Sequence, residues 1–193
     1  MTACSAGLTD AMAPQLQKPE LLISRAYING EWVEAQSGAT FKVTNPSSEE
    51  VVATVPEMNE QDVAIASKYA QEAFRYWKKT PGKQRGKIIR RWADLMNENA
   101  ADLGTIMTLE NGKPYAEAKG EIAFAASYLE FYAGEAERGY GDIIPSSNPI
   151  NRIFAVKQPI GVAACLTPWN FPAVSGFRIN SCGQTLTPSS YRR

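Results

Sequence analysis

An α/β fold is predicted by three features of the chain. Short strand-like runs broken by turn residues come first, between Tyr27 and Val55. Four stretches with apolar residues at helical spacing follow, between Asn59 and Arg138. From Tyr140 the period returns to that of strands. The last of these, Ile160 to Leu166, is a near-continuous apolar run. Such a run marks a parallel strand covered on both faces.

Tyr27 to Val33 and Phe41 to Val55 read as short strands, punctuated by Asn29-Gly30, Gly38 and Asn45-Pro46. Asn59 is expected to cap the first helix, with Asp62 at the third helical position. Val63, Ala66, Ala70, Ala73, Phe74 and Trp77 form its apolar stripe. Thr80-Pro81 predicts the next start, an N-cap followed by a proline whose missing N–H costs nothing. Ile88, Ile89, Trp92, Leu95 and Met96 line one face of that helix, and Arg85, Lys87, Arg90 and Arg91 lie mainly on the others. A third helix, Ala101 to Glu110, stops at Asn111-Gly112, and Pro114 prevents its continuation. A fourth, Tyr115 to Arg138, carries the seam Ala118, Ile122, Ala125, Leu129, Tyr132 and Ala136. Its small residues suit close helix packing.

Ile143-Ile144 and Arg152 to Val156 read as the next strands. After Ile160 to Leu166 comes Thr167-Pro168-Trp169-Asn170-Phe171-Pro172, in which two prolines fix φ. A strand stops there and a rigid loop begins. The loop holds a Trp and an Asn at the strand's carboxyl end, where open α/β sheets place their ligand sites.

Composition narrows the chemistry. The 193 residues are 44% hydrophobic and 21% charged, as in a globular domain. Twenty basic and twenty acidic residues cancel, which favours neither nucleic acid nor a membrane surface as partner. No apolar run is long enough for a transmembrane helix. Histidine is absent, which removes Ser-His and Cys-His nucleophile pairs and His-based metal sites. Cys4, Cys165 and Cys182 have neither metal-ligand spacing nor an even count for disulfides, so no metal is expected and a reducing compartment fits. Residues 1–24 lack a signal-peptide core and, with one Lys, Asp10 and Glu20, are not Arg-rich. They are expected to be a disordered leader, and the chain cytoplasmic, with a mitochondrial location as the alternative. Gly134, Gly139 and Gly141 do not form G-x-G-x-x-G. The cluster Lys83 to Arg91 is expected to be a solvated helix face, and Glu110, Glu121 and Glu135 surface or capping carboxylates.

The string Pro168-Trp169-Asn170-Phe171-Pro172 resembles the aldehyde dehydrogenase superfamily, and four more strings agree in order and spacing. These are Tyr27 to Val33, Asn45-Pro46 with Val51 to Pro56, Leu109-Glu110-Asn111-Gly112-Lys113-Pro114, and Lys157 to Val162. Within the superfamily, Leu129 to Ala133, Glu135 to Arg138 and Gly141 to Ser146 are similar to succinate-semialdehyde dehydrogenases.

The resemblance implies the N-terminal part of the aldehyde dehydrogenase fold, a truncated Rossmann-like cofactor domain plus oligomerisation strands. It covers residues 25–173, with the oligomerisation strands at about 140–158 and Ile160 to Leu166 as first strand of the cofactor sheet. It implies NAD(P)-dependent oxidation of an aldehyde, succinate semialdehyde in 4-aminobutyrate degradation, by a homo-oligomer. Asn170 is then the oxyanion-hole donor, and Thr167, Pro168, Trp169 and Asn170 run beside the nicotinamide of NAD or NADP. The plainer readings are an Asn that shapes a turn and a Trp that packs.

The family's catalytic Cys and Glu are not found in the chain. Ser181-Cys182-Gly183-Gln184 reverses the order of the catalytic string, and no basic neighbour activates that thiol. Cys165 reads as a small core residue, and Arg178 as a chance match to a substrate-carboxylate arginine. Residues 174–193 follow neither strand nor helix period and are expected to be a disordered, unrelated tail. Val174-Ser175 can be encoded by a splice-donor hexamer, which suggests a retained intron; a frameshift is the alternative. The chain alone is expected to be inactive and to bind cofactor poorly. The alternatives are a non-catalytic fragment that associates with full-length subunits, or a gene-model artefact without function.

Overall fold

The computed structural model describes residues 15–176. Strands β1 (Ala26–Ile28) and β2 (Glu31–Val33) pair antiparallel across Asn29 and Gly30, at φ 54° and 86°. Two positive φ values define the tight turn that matches strand twist, which is why Asn-Gly stands there. Tyr27 faces Trp32 across the ladder, with ring centroids 4.8 Å apart. Strands β3 (Thr40–Thr44) and β4 (Val51–Pro56) form a second hairpin, and β5 (Asp142–Ile144) and β6 (Ile153–Ala155) a third.

Four helices lie between the second and third hairpins: α1 (Glu60–Trp77), α2 (Gly82–Glu98), α3 (Ala100–Asn111) and α4 (Tyr115–Glu135). The core sits where α2 and α3 pack on α4. Ile89, Ala93 and Met96 of α2 and Met107 of α3 meet Ala118, Ile122, Ala125 and Leu129 of α4. The expected alanine-rich seam of α4 is therefore the central packing face. The α1 start is as read: Asn59 accepts the N–H groups of Gln61 and Asp62, and Asp62 accepts that of Asn59.

Several expectations need correction. Ile160 to Leu166 is not a strand; Ile160 is 87% and Leu166 92% exposed. A strand exists only by pairing, and no described segment lies alongside to supply a ladder. All sheets among the described residues are two-stranded and antiparallel. On α2 the buried face is Gly86, Ile89, Ala93 and Met96, whereas Ile88 and Leu95 are exposed. Each of those two is one residue, about 100° of helix, away from the buried stripe. Thr80 does not cap α2: Pro81 is the cap residue, no side chain bonds there, and the Thr80 carbonyl accepts Arg85 Nη1 instead. The α1 stripe stays half open, and Asp62 is the only buried residue of that helix. The leader is not disordered throughout. Asp102 accepts the N–H groups of Gln17 (2.8 Å) and Lys18 (3.0 Å), and Pro19–Leu21 forms a 3-10 turn. Likewise residues 172–176 are helical, so the first three tail residues join the fold.

Candidate functional site

The turn that carries Asn170 is held from behind by the end of α3 and the start of α4. Gly112 ends α3 in the left-handed region, φ 78°, and its N–H donates to Thr108 O at 2.9 Å. Glycine suits that conformation because it has no Cβ to clash. The chain reverses there, with Asn111 on one side and Lys113 on the other. Asn111 Nδ2 donates to Trp169 O (3.0 Å) and Lys113 Nζ to Asn170 O (3.0 Å). Lys113 Nζ also lies 4.4 Å from the centroid of the Phe171 ring.

Lys113 is ion-paired with Glu121 of α4; the Glu121 side chain is buried, 3% exposed, and that of Lys113 is partly buried, 12% exposed. Glu121 Oε1 accepts the backbone N–H groups of Ala173 (2.9 Å) and Val174 (3.2 Å). Those N–H groups open the helical turn 172–176, whose Ser175 N–H donates to Phe171 O at 3.0 Å. The first N–H groups of a helix have no partner within it, and a carboxylate there also meets the positive end of the peptide dipoles. Glu121 is thus a capping carboxylate for a different segment, and it is buried rather than on the surface.

The residues predicted from sequence are only partly brought together. Trp169 and Asn170 share the held turn, and both are exposed, Trp169 at 80%. Thr167 and Pro168 lie in the irregular segment before it. A cleft of about 370 Å³ opens beside the turn, lined by Lys113, Glu117, Gly120, Glu121, Phe124, Asn170 and Phe171. Sequence reasoning missed Lys113 and Glu121 as holders of the turn. The signal was available: Glu121 falls between Ala118 and Ile122, Ala125 at the i, i+3, i+4, i+7 spacing of the buried stripe. A carboxylate on such a stripe needs a partner.

Cys165 is half-buried, and burial pushes its thiol up, away from the reactive thiolate. Among the described residues no cluster of His, Cys, Asp and Glu could hold a metal ion. No helix among them is long and apolar enough to cross a membrane. Cys4, Arg178 and Cys182 lie outside the described residues.

The four cofactor candidates do not by themselves make a dinucleotide site. They offer a hydroxyl, a carboxamide and an aromatic face. They lack a strand to carry them and a glycine-rich turn to receive a pyrophosphate.

Comparison with known proteins agrees with the motifs. Residues 32–178 match the model of the aldehyde dehydrogenase family. The chain is 52% identical over 182 residues to glutarate-semialdehyde dehydrogenase of Pseudomonas putida KT2440, covering 91% of this chain and 38% of that protein. It is 45% identical to succinate-semialdehyde dehydrogenase [NADP(+)] GabD of Escherichia coli K12, with the same coverage of 91% and 38%. The crystal structure of succinate-semialdehyde dehydrogenase from Burkholderia pseudomallei superposes with a TM-score of 0.89 at 45% identity, over 91% of this chain and 37% of that one. The chain thus spans less than two fifths of the length of these relatives. With the motifs, the hairpins and the helical layer all in family order, the chain belongs to the aldehyde dehydrogenase family and makes the N-terminal part of its fold.

Proposed function

We propose that this chain is the N-terminal part of an NAD(P)-dependent dehydrogenase of a short aldehyde bearing a carboxylate, succinate or glutarate semialdehyde. In that reading Asn170 is the oxyanion donor. When a thiolate adds to the aldehyde carbon, the carbonyl oxygen takes up negative charge, and the Asn170 carboxamide N–H donates to it. A nicotinamide cofactor, when bound, would supply the hydride acceptor, and Trp169 with Thr167 and Pro168 would flank it. The observation that carries the reading is the held turn: its backbone is fixed by Asn111, Lys113 and Glu121, while Asn170 lines an open cleft. A fixed donor costs no reorganisation when charge develops, and one such donor is worth on the order of 10²–10³ in kcat.

Besides Asn170 the proposed reaction requires a thiolate nucleophile and a general base that activates water. The test is a transcript product that contains this segment together with such a thiolate and base: it should oxidise one or both semialdehydes, and Asn170→Ala should lower its kcat by roughly 10²–10³. A product that oxidises neither, or a variant with full kcat, overturns the assignment.

A second reading has its own support. The β5–β6 hairpin exposes Ile143 and Phe154, an apolar surface suited to a neighbouring subunit. If the 193-residue chain is itself a product, it would act in the cytoplasm by joining full-length subunits through that hairpin. Co-purification that survives loss of the cofactor, and is lost on Phe154→Glu, is the expected result.

A further inference from the structure

We infer that Lys113 and Glu121 are positioning residues that act as one clasp on the Asn170 turn. The inference rests on the reading of Asn170 as the oxyanion donor. The clasp has two arms. Lys113 donates to the carbonyl of Asn170 itself, and Glu121 accepts the N–H groups of Ala173 and Val174, three and four residues on. The ion pair between them joins the arms, so the two ends of the turn are tied to each other as well as to α4.

Why a clasp is needed follows from the local sequence. Asn170 stands between Pro168 and Pro172. Pro172 has no N–H, so it gives the turn no donor with which to close on itself. The segment before it, 160–168, has no strand to anchor it. The carbonyls of Trp169 and Asn170 and the N–H groups of Ala173 and Val174 would therefore be left to water. Instead the carbonyls are met by Asn111 and Lys113 and the N–H groups by Glu121. An ordinary N-cap side chain comes from the residue just before the helix and moves with the loop. Glu121 comes from the packed face of α4, beside Ile122 and Ala125, so it ties the helix start to the core.

The test is amide exchange, read residue by residue, on the 193-residue chain. Glu121→Ala should speed exchange at Ala173 and Val174 by roughly ten-fold or more, as loss of a hydrogen bond to a charged acceptor requires. The amides of Ala125 and Leu129 should hold their rates. Glu121→Gln keeps a carbonyl acceptor of the same shape and should fall between wild type and Glu121→Ala. This variant keeps the test decisive if Glu121→Ala does not fold. Lys113→Met should shift the Asn170 and Phe171 resonances. Combined with Glu121→Ala it should add nothing further at Ala173, because the two act as a unit. Unchanged exchange at Ala173 in Glu121→Ala and Glu121→Gln, or independent additive effects of the two sites, overturns the clasp. Asn170→Ala should leave exchange at Ala173 unchanged. Failure of the oxyanion reading would appear only in the kcat comparison described for the longer enzyme.

Discussion

The ring of Pro46 closes over Gly112: a Cβ built on that glycine would stand 2.6 Å from the proline Cγ. Two hairpin and helix segments far apart in sequence therefore meet at the turn that presents Asn111 and Lys113 to the Asn170 loop. The left-handed φ of Gly112 and the lack of space both exclude a side chain. Gly112→Ala is expected to cost at least about 1–2 kcal/mol from the conformation alone. Displacement of Pro46 adds to it. Thermal or urea unfolding should show the loss, and an unchanged midpoint would contradict the packing described.

The core prediction concerns Leu129. It is fully buried on α4 against α2. Leu129→Ala should destabilise by about 2–5 kcal/mol. That is a large part of a domain's usual 5–15 kcal/mol. Ile88→Ala, on the open side of α2, should change stability by less than roughly 0.5 kcal/mol. Equal effects from the two would place the core elsewhere.

Much of this was legible in the sequence, and the failures share a cause. Asn29-Gly30, Asn59 with Asp62, and Asn111-Gly112 specify their structures locally, through φ requirements and caps, and each is found where the residues put it. The α4 seam was legible because small residues recur at 3.6 spacing over many turns. Ile160 to Leu166 has the composition of a central strand, but strand formation is a property of a pair and not of a run. Ile88 and Leu95 are apolar and close to the right period, yet only packing against α4 decides which neighbouring stripe is buried. Glu121 looked like an ordinary carboxylate because its partners lie 52 and 53 residues away. The Asn170 motif was plain as a string, while what holds it was not.

Asp62 joins two elements. Its carboxylate accepts the N–H of Asn59 at 2.9 Å and that of Gln36 at 3.2 Å, tying the start of α1 to the strand β2 side of the chain. Asp62→Ala is expected to cost roughly 1.5–3 kcal/mol, the scale of hydrogen bonds to a charged group. Circular dichroism with thermal melting should register it. A variant as stable as wild type would show that the α1 start is not tied down in solution.

The apolar segment 160–166 makes an opposite kind of prediction. With no ladder, its amides should exchange at close to unprotected rates, and its exposed Ile160 and Leu166 should bind apolar dyes and promote aggregation. Strong protection there, in a monodisperse and cooperatively melting chain, would mean that the segment has found a partner strand.

Cys165 supplies the pH test. Burial raises its thiol pKa, so the folded chain favours the neutral form. The associated stability is fully present below the unfolded thiol value, about 8.5, and is lost as pH rises through the higher folded value. At about pH 8 alkylation of Cys165 by iodoacetamide should be slower in the native chain than in urea. Peptide mapping separates it from Cys4 and Cys182. Equal rates would contradict the burial.

The most direct measurement is aldehyde-dependent NAD(P)H formation by the purified 193-residue chain. Succinate and glutarate semialdehyde should each be supplied with NAD and with NADP. In the proposed reading the chain carries the oxyanion turn, and among the described residues the one cysteine, Cys165, is held toward its neutral thiol by burial, so no reduced cofactor should form under any combination. Steady formation of NADH or NADPH that Asn170→Ala abolishes would contradict the account, because the chain would then hold a complete catalytic site.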